Sequence, residues 1–190
     1  MKELLLNGVV VGQVEQTGDF EKDAAVCLQF IKDKGLYRKP DPVKTIFRQA
    51  LSFATTASHL YKRGLSSSPW NVHDVAPFVV NSAFSIELYL KTLAQHHGTL
   101  LKGHDLLKLL AGQPAAARAD INAVLSACRL EFPPAGNLEL RECVGELANA
   151  FVEWRYLHEK MRAGTIRVDR AIFVMKVMHE ACRKAIGLGA

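Results

Sequence analysis

The longest regular pattern of apolar and polar positions in the chain lies between residues 75 and 97. Its apolar members recur at alternating steps of four and three residues and are Val79, Ala83, Ile86, Leu90 and Leu93. That spacing places them on one face of an α-helix, as expected for a helix that packs into a bundle. The helix should end near His96-His97-Gly98, and a second, short helix should begin at His104-Asp105.

Similar stripes on both sides of this central helix predict further helices. Asp41-Pro42 combines a capping residue with a proline at the first helical position, and the helix it opens should end near Gly64. Asp74 can cap the central helix. Three more helices are expected: one opened by Pro114, one from Asn137 to about Arg162, and one over Asp169 to Ile186. The pattern predicts a mainly α protein, an up-and-down four-helix-type bundle with extra short helices.

The first 36 residues follow a different pattern. Three apolar residues on each side of Asn7-Gly8 predict a β-hairpin. Asp19 can then cap a helix that stops at Gly35. The expected apolar face of that helix is Phe20, Ala24, Cys27, Leu28 and Ile31. Two strands and one helix bury little surface. We therefore divide the chain into a ββα unit, 1–36, and a bundle, 41–190, and expect the ββα unit to dock on the bundle, join a second copy or hold a protein partner.

Composition narrows the class of protein only modestly. The chain has 190 residues, 49% hydrophobic and 23% charged, with a net charge of +5 that permits nucleic acid as a partner. The four cysteines contain no CxxC pair, which favours thiols in a reducing compartment over a zinc or disulfide site. No signal peptide or membrane span is evident. We expect a cytoplasmic protein without a metal or cofactor.

The sequence contains none of the best-marked catalytic motifs. GxGxxG, the Walker A loop, GxSxG and HExxH are all absent. Their absence argues against the nucleotide-binding, hydrolase and metalloprotease classes that these motifs mark.

Polar residues interrupt the apolar stripe of the helix after Asn137. On a helix with 3.6 residues per turn, Arg155 lies about 40° from Phe151, and His158 lies about 20° from Phe151 on the other side. A buried guanidinium without a partner is costly, so Arg155 should meet a carboxylate or reach a cleft. Glu87 is the first candidate partner and Asp105 the second.

Each of these polar residues has a structural and a functional interpretation. Arg155 can bridge helices in an ion pair, with His158 satisfied beside it, or both can form a pocket for phosphate-bearing ligands. Lys91 lies four residues after Glu87 and can form a plain surface pair with it. His104 and Asp105 can cap the short helix or form an anion site.

Three aromatic side chains also have alternatives. Trp70 lies in a serine-rich loop and can stack on a base or another ligand, although covering the core is the commoner role of such a residue. His59 and His179 lie on or near apolar faces and are expected to be satisfied core histidines.

Two segments resemble the HEPN superfamily, the helical "higher eukaryotes and prokaryotes nucleotide-binding" domains. The first runs from Ala83 to Leu93 and is followed by Gly103-His104-Asp105-Leu106; the second is Phe151-Val152-Glu153-Trp154-Arg155-Tyr156-Leu157-His158-Glu159. The resemblance spans about 43–186. It implies a helical bundle, often a homodimer, that binds nucleotide or RNA in a bacterial or phage-defence context.

Many HEPN-like proteins are metal-independent RNases, whose motif is an arginine followed after four to six residues by a histidine. The matching positions here are Arg155 and His158, with only two residues between them. We therefore expect binding through Arg155, His158, Glu87, Lys91, His104 and Asp105 without efficient catalysis. The alternatives are an endoribonuclease that uses Arg155 and His158, and a protein-interaction module without a ligand site.

Overall fold

The computed structural model describes residues 1–6, 8–131, 139–155 and 167–187, and for 149–155 only the backbone. The described part is mainly helical, which confirms the predicted fold class. It divides into two units, Met1–Pro40 and Asp41–Ala190. The first contains β1 (Lys2–Leu6), β2 (Val9–Val14) and α1 (Phe20–Asp33). The second contains α2 (Pro42–Gly64), α3 (Val72–His96), α4 (Leu106–Ala111), α5 (Ala115–Glu131), α6 (Leu140–Arg155) and α7 (Val168–Ala185).

In the first unit, β1 and β2 form the predicted antiparallel hairpin. The register slips by one residue, because Leu4 pairs with Gly12 whereas Leu5 pairs with Val10. This irregularity is a β-bulge. A Cβ atom at Gly12 would overlap the ring of Phe30, so the glycine lets α1 approach the sheet closely.

The predicted cap of α1 is confirmed, but its predicted apolar face is partly wrong. Asp19 accepts hydrogen bonds from the backbone N–H groups of Glu21 and Lys22. Phe20 is 87% exposed and Leu28 is also exposed. Ala24 is exposed as well, whereas Cys27 and Ile31 are half-buried as predicted, together with Asp23 and Phe30. A short helix against two strands covers a narrower strip than the helical period alone suggests.

α3 is the central element of the second unit. It packs against α2, α4, α6 and α7. The whole predicted stripe is buried, with Val79, Ile86, Leu90 and Leu93 all inaccessible to solvent. α7 is also largely buried, and its residues inaccessible to solvent include Phe173, Val174, Val177, Met178 and Ala181. A helix buried on most faces is typical of the interior of a bundle.

The start of α3 differs from the prediction. Asn71, not Asp74, is the N-cap, and its side-chain oxygen accepts from the N–H of His73. Asp74 is 1% exposed and forms an ion pair with Arg63. The hydrogen bond from Arg63 holds the pKa of Asp74 below its usual value. Asp74 thus lies inside the first turn of α3 and binds Arg63, while Asn71 caps the helix.

Two further observations complete the fold. Cys128, Cys143 and Cys182 are buried and Cys27 is half-buried, and all four thiols are free. Among the described residues, no helix is both long and apolar enough to cross a membrane. The predicted cap at Asn137 and the predicted end of α6 near Arg162 lie outside the described residues.

Candidate functional site

Three polar side chains meet where α3 faces the turn before α4. Nζ of Lys91 lies 2.7 Å from Oε1 of Glu87, and Nδ1 of His104 lies 3.0 Å from the same oxygen. Glu87 and Lys91 are one helical turn apart and so share a face of α3. Gly103, with φ +89°, supplies the left-handed conformation from which the chain presents His104. We refer to Glu87, Lys91 and His104 as the Glu87 cluster.

The three members of the Glu87 cluster differ strongly in exposure. Glu87 is 5% exposed, whereas the side chains of Lys91 and His104 are 21% and 77% exposed. The buried carboxylate needs its hydrogen-bond donors, since an unpaired buried charge is costly. It also orients the imidazole through Nδ1 and so leaves Nε2 as the ring nitrogen that a ligand or a proton can reach. The sequence analysis assigned these three residues to one binding site. It did not predict the contact between His104 and Glu87, because it favoured Arg155 as the partner of Glu87.

Asp105 has a different role from the Glu87 cluster. Its Oδ1 accepts a hydrogen bond of 3.0 Å from the backbone N–H of Lys108, and it is the N-cap of α4. That backbone hydrogen bond is the largest cause of the lowered pKa of Asp105. The expectation that Asp105 caps the short helix is confirmed.

Arg155 and His158, on which the catalytic hypothesis depends, lie partly or wholly outside the described residues. Arg155 is the last residue of α6, but its side chain lies outside the described part, as does the whole of His158. The proposed contact between Arg155 and Glu87 therefore stays a prediction. The apolar part of the same stripe that is described, Leu140, Val144 and Leu147, is buried as predicted.

Nothing in the sequence indicated the role of Gln113, which joins α3 to the end of α4. Gln113 is 1% exposed, and its Nε2 donates to the backbone oxygens of Leu90 at 2.9 Å and Leu109 at 3.1 Å. These bonds tie α4 to α3 close to the cluster. A polar residue between Gly112 and Pro114 gives no sequence signal other than that of a loop.

A second polar pair lies between α3 and α7, beside a mostly apolar cavity of about 290 Å³. The hydroxyl of Tyr89 lies 3.0 Å from Nδ1 of His179, whose ring stacks on that of Phe47. Burial lowers the pKa of His179 and raises the pKa of Tyr89. His179 is thus half-buried with a hydrogen-bond partner, as expected, whereas His59 is exposed and the expectation that it is a core histidine is wrong.

Metal ligation and similarity to known proteins add no further assignment. Within the described ranges, no group of three or more His, Cys, Asp or Glu side chains is placed to hold a metal ion. Comparison with protein-family models, with curated proteins and with solved structures found no match. Function must therefore be argued from the residues themselves.

Proposed function

We propose that the chain is a HEPN-like helical-bundle protein that binds RNA or a nucleotide through its phosphate groups, without efficient catalysis. The proposal combines the resemblance of the segments around Glu87 and Arg155 with the net charge of +5. Its context would be a cytoplasmic homodimer in bacterial or phage defence, as the resemblance implies.

The observation that carries the proposal is the arrangement of the Glu87 cluster. A single buried carboxylate fixes an ammonium and an imidazole side by side, and the imidazole is largely exposed. When His104 is protonated, the cluster has one net positive charge and presents donors suited to phosphate oxygens. Arg155 and His158 would add a further cation and imidazole to the same pocket if they reach it.

Binding of single-stranded RNA tests the proposal. We expect a fluorescently labelled RNA to bind at low salt, with an affinity that falls as salt rises, because phosphate contacts release counterions. His104→Ala should weaken binding about tenfold, the loss of one charged hydrogen bond. Lys39→Gln removes an exposed charge from the first unit and serves as the control for simple loss of charge. Failure of the wild type to bind either the RNA or a fluorescently labelled nucleotide at low salt would refute the proposal.

A metal-independent endoribonuclease is the first alternative. The Glu87–His104 contact favours it in one respect, because a carboxylate that orients a histidine through Nδ1 is the usual way to prepare an imidazole for proton transfer. Mixed RNA incubated with the protein in chelator tests this. Cleavage that is lost in an Arg155→Ala, His158→Ala double variant would establish the nuclease that uses those two residues. Cleavage that is lost in His104→Ala would assign the proton transfer to His104, and intact RNA would exclude nuclease activity.

A protein-interaction module is the second alternative, and the exposed apolar side chains of the first unit favour it. Leu5, Val9, Val10 and Phe20 are each more than half exposed, and Val14 is the one buried hydrophobic residue among the described residues of this unit. Such residues are typical of surfaces that a partner covers. Under this alternative RNA would not bind, or would bind with no dependence on salt.

A further inference from the structure

A cleft of about 380 Å³ lies in the second unit, between the loop after α2 and the start of α7. Tyr61, Ser66 and Trp70 line it from α2 and the loop, and Arg167 and Asp169 line it at the start of α7. Its volume lies within the range of about 300–1,000 Å³ that is usual for ligand sites. We refer to this space as the Trp70 cleft.

Trp70 lies in a loop whose residues 66–71 are all exposed and which follows the buried Leu65. The residue of the loop that enters the core is Leu65, which is 3% exposed, whereas Trp70 is 45% exposed. More than half of the surface of Trp70 is therefore covered, in line with the expectation that it lies over the core, and the remainder is exposed. A large aromatic side chain gains free energy when its surface leaves water, so a half-exposed indole in a cleft is suited to stacking on a ligand.

The backbone that carries Trp70 is held at both ends of the loop. The N–H of Asn71 donates to the carbonyl oxygen of Gly64 at 2.8 Å and so closes the loop. Nδ2 of Asn71 donates to Oδ2 of Asp74 at 3.0 Å, and Arg63 binds the same buried carboxylate. Trp70 is thus presented from a fixed backbone, which lowers the entropic cost of binding a ligand on its ring.

The other side of the cleft offers a guanidinium. Arg167 precedes α7 and is 50% exposed, while the next residue, Val168, is 5% exposed and anchors the chain to the core. Both contacts of Arg167 with Asp169 are 3.5 Å long, at the limit of a hydrogen bond. Because a guanidinium has five N–H donors, Arg167 can direct several of them to a phosphate.

We propose that the Trp70 cleft binds one nucleotide of a single-stranded RNA, with the base stacked on Trp70 and its phosphate on Arg167. Stacking on an aromatic ring combined with a cation for the backbone is how proteins hold single strands. An acidic peptide or a polyphosphate would use Arg167 but would leave the indole without a partner. The inference rests on the proposed RNA binding and adds a point of contact separate from the Glu87 cluster.

The test is the affinity of a short labelled single-stranded RNA, measured by anisotropy at several salt concentrations. Trp70→Ala should weaken binding about tenfold, the effect expected for the loss of one stacked base, and Trp70→Phe should restore most of it. Arg167→Gln should reduce the slope of log affinity against log salt by about 0.7, the value for one phosphate contact on a single strand. Arg38→Gln removes one exposed charge from the first unit and is the matched control. Circular dichroism melts establish that each variant is folded.

The outcomes separate this inference from the proposed function. If the wild type binds RNA and folded Trp70→Ala and Arg167→Gln variants bind equally well, RNA binding stands and the cleft is not its site. If the wild type binds a nucleotide but no RNA, only this inference fails, and if it binds neither, both proposals fail. If inorganic polyphosphate, which has no bases, loses as much affinity in Trp70→Ala as RNA does, stacking is refuted.

Discussion

The hydroxyl of Tyr89 and Nδ1 of His179 lie 3.0 Å apart and join α3 to α7 across ninety residues of sequence. Cys182, one turn after His179, donates from its thiol to the carbonyl oxygen of Tyr89 at 3.3 Å, so the same two helices are joined twice. Tyr89 and Cys182 are inaccessible to solvent, whereas His179 is only half-buried and lies at the edge of the apolar cavity that it lines with Tyr89. The histidine is therefore the member of this group whose protonation can reach solvent.

Protonation of His179 should destabilise the fold. Burial lowers its pKa below 6.5, with nearby Lys176 and Arg183 also lowering it and Glu180 opposing them. The unfolded chain then binds the proton more readily than the folded one. The contribution to stability is complete above about pH 6.5 and is lost as the pH falls from there towards the lowered pKa.

Urea unfolding of wild type and His179→Phe at several pH values measures this effect. The phenylalanine keeps a ring against Phe47 but cannot titrate, so the free energy of unfolding of the variant should fall less between pH 7 and pH 5. Tyr89→Phe removes the hydrogen bond yet keeps the imidazole, and serves as the control. Equal pH dependence in all three proteins would contradict the prediction.

Truncation of α3 should be costly on its buried face. Leu93 is inaccessible, and Leu93→Ala should lower the free energy of unfolding by about 2–5 kcal/mol, the range for lost burial plus a cavity. Leu130 on α5 is 83% exposed, and Leu130→Ala should change the free energy of unfolding by less than about 0.5 kcal/mol. Urea denaturation of the two variants compares them directly. A small effect at Leu93 would mean that α3 is not the centre of the bundle.

The fold was predictable where burial follows a period of the sequence. The stripe from Val79 to Leu93 recurs with the helical period, and a helix in a bundle must bury such a face. Caps at Asp19, Asp41 and Asp105 were predictable for a similar reason, because each sits directly before an apolar helical run and bonds only to its own first turn.

Contacts between residues on different helices could not be predicted from the sequence. Asp74 looks like a cap in the sequence, but Arg63 on the preceding helix takes its carboxylate. Arg155 on α6 was the predicted partner of Glu87. The described partner from outside α3 is His104, seventeen residues after Glu87. Side-chain partners depend on how helices are placed side by side, which the period of one helix does not specify.

A methyl group at Gly64 should disturb the loop that carries Trp70. A Cβ atom there would overlap Oδ2 of Asp74 and press on Asn71, and both are groups that hold the loop. Gly64→Ala should therefore lower the free energy of unfolding by about 1–3 kcal/mol, the usual cost of overpacking. It should also weaken RNA binding at the Trp70 cleft.

Gly145 in α6 provides the matched control for that substitution. A Cβ atom at Gly145 would meet Leu107 at 3.7 Å, an ordinary contact. Gly145→Ala should therefore stabilise the protein by about 0.4–1 kcal/mol through its helix propensity and the lower entropy of the unfolded chain. Thermal melts of both variants test the pair, and a stable Gly64→Ala protein would show that Asp74 can move without cost.

The predicted contact between Glu87 and Arg155 can be tested by a double-mutant cycle. Lys91 and His104 both contact Oε1 of Glu87, so Oε2 is the atom through which Arg155 would bind. We expect Glu87→Gln and Arg155→Gln to be coupled by about 0.5–3 kcal/mol in the free energy of unfolding, as residues in one ion-pair network are.

The control for that cycle pairs Glu87→Gln with Arg141→Gln. Arg141 is exposed near the start of α6, about 20 Å along the helix from Arg155. Its substitution should add to that of Glu87 within about 0.5 kcal/mol. Coupling of Glu87 with Arg155 but not with Arg141 would show that the guanidinium of Arg155 lies at the Glu87 cluster, where it would strengthen phosphate binding. Additivity at both positions would remove Arg155 from the cluster and leave Lys91 and His104 as its cations.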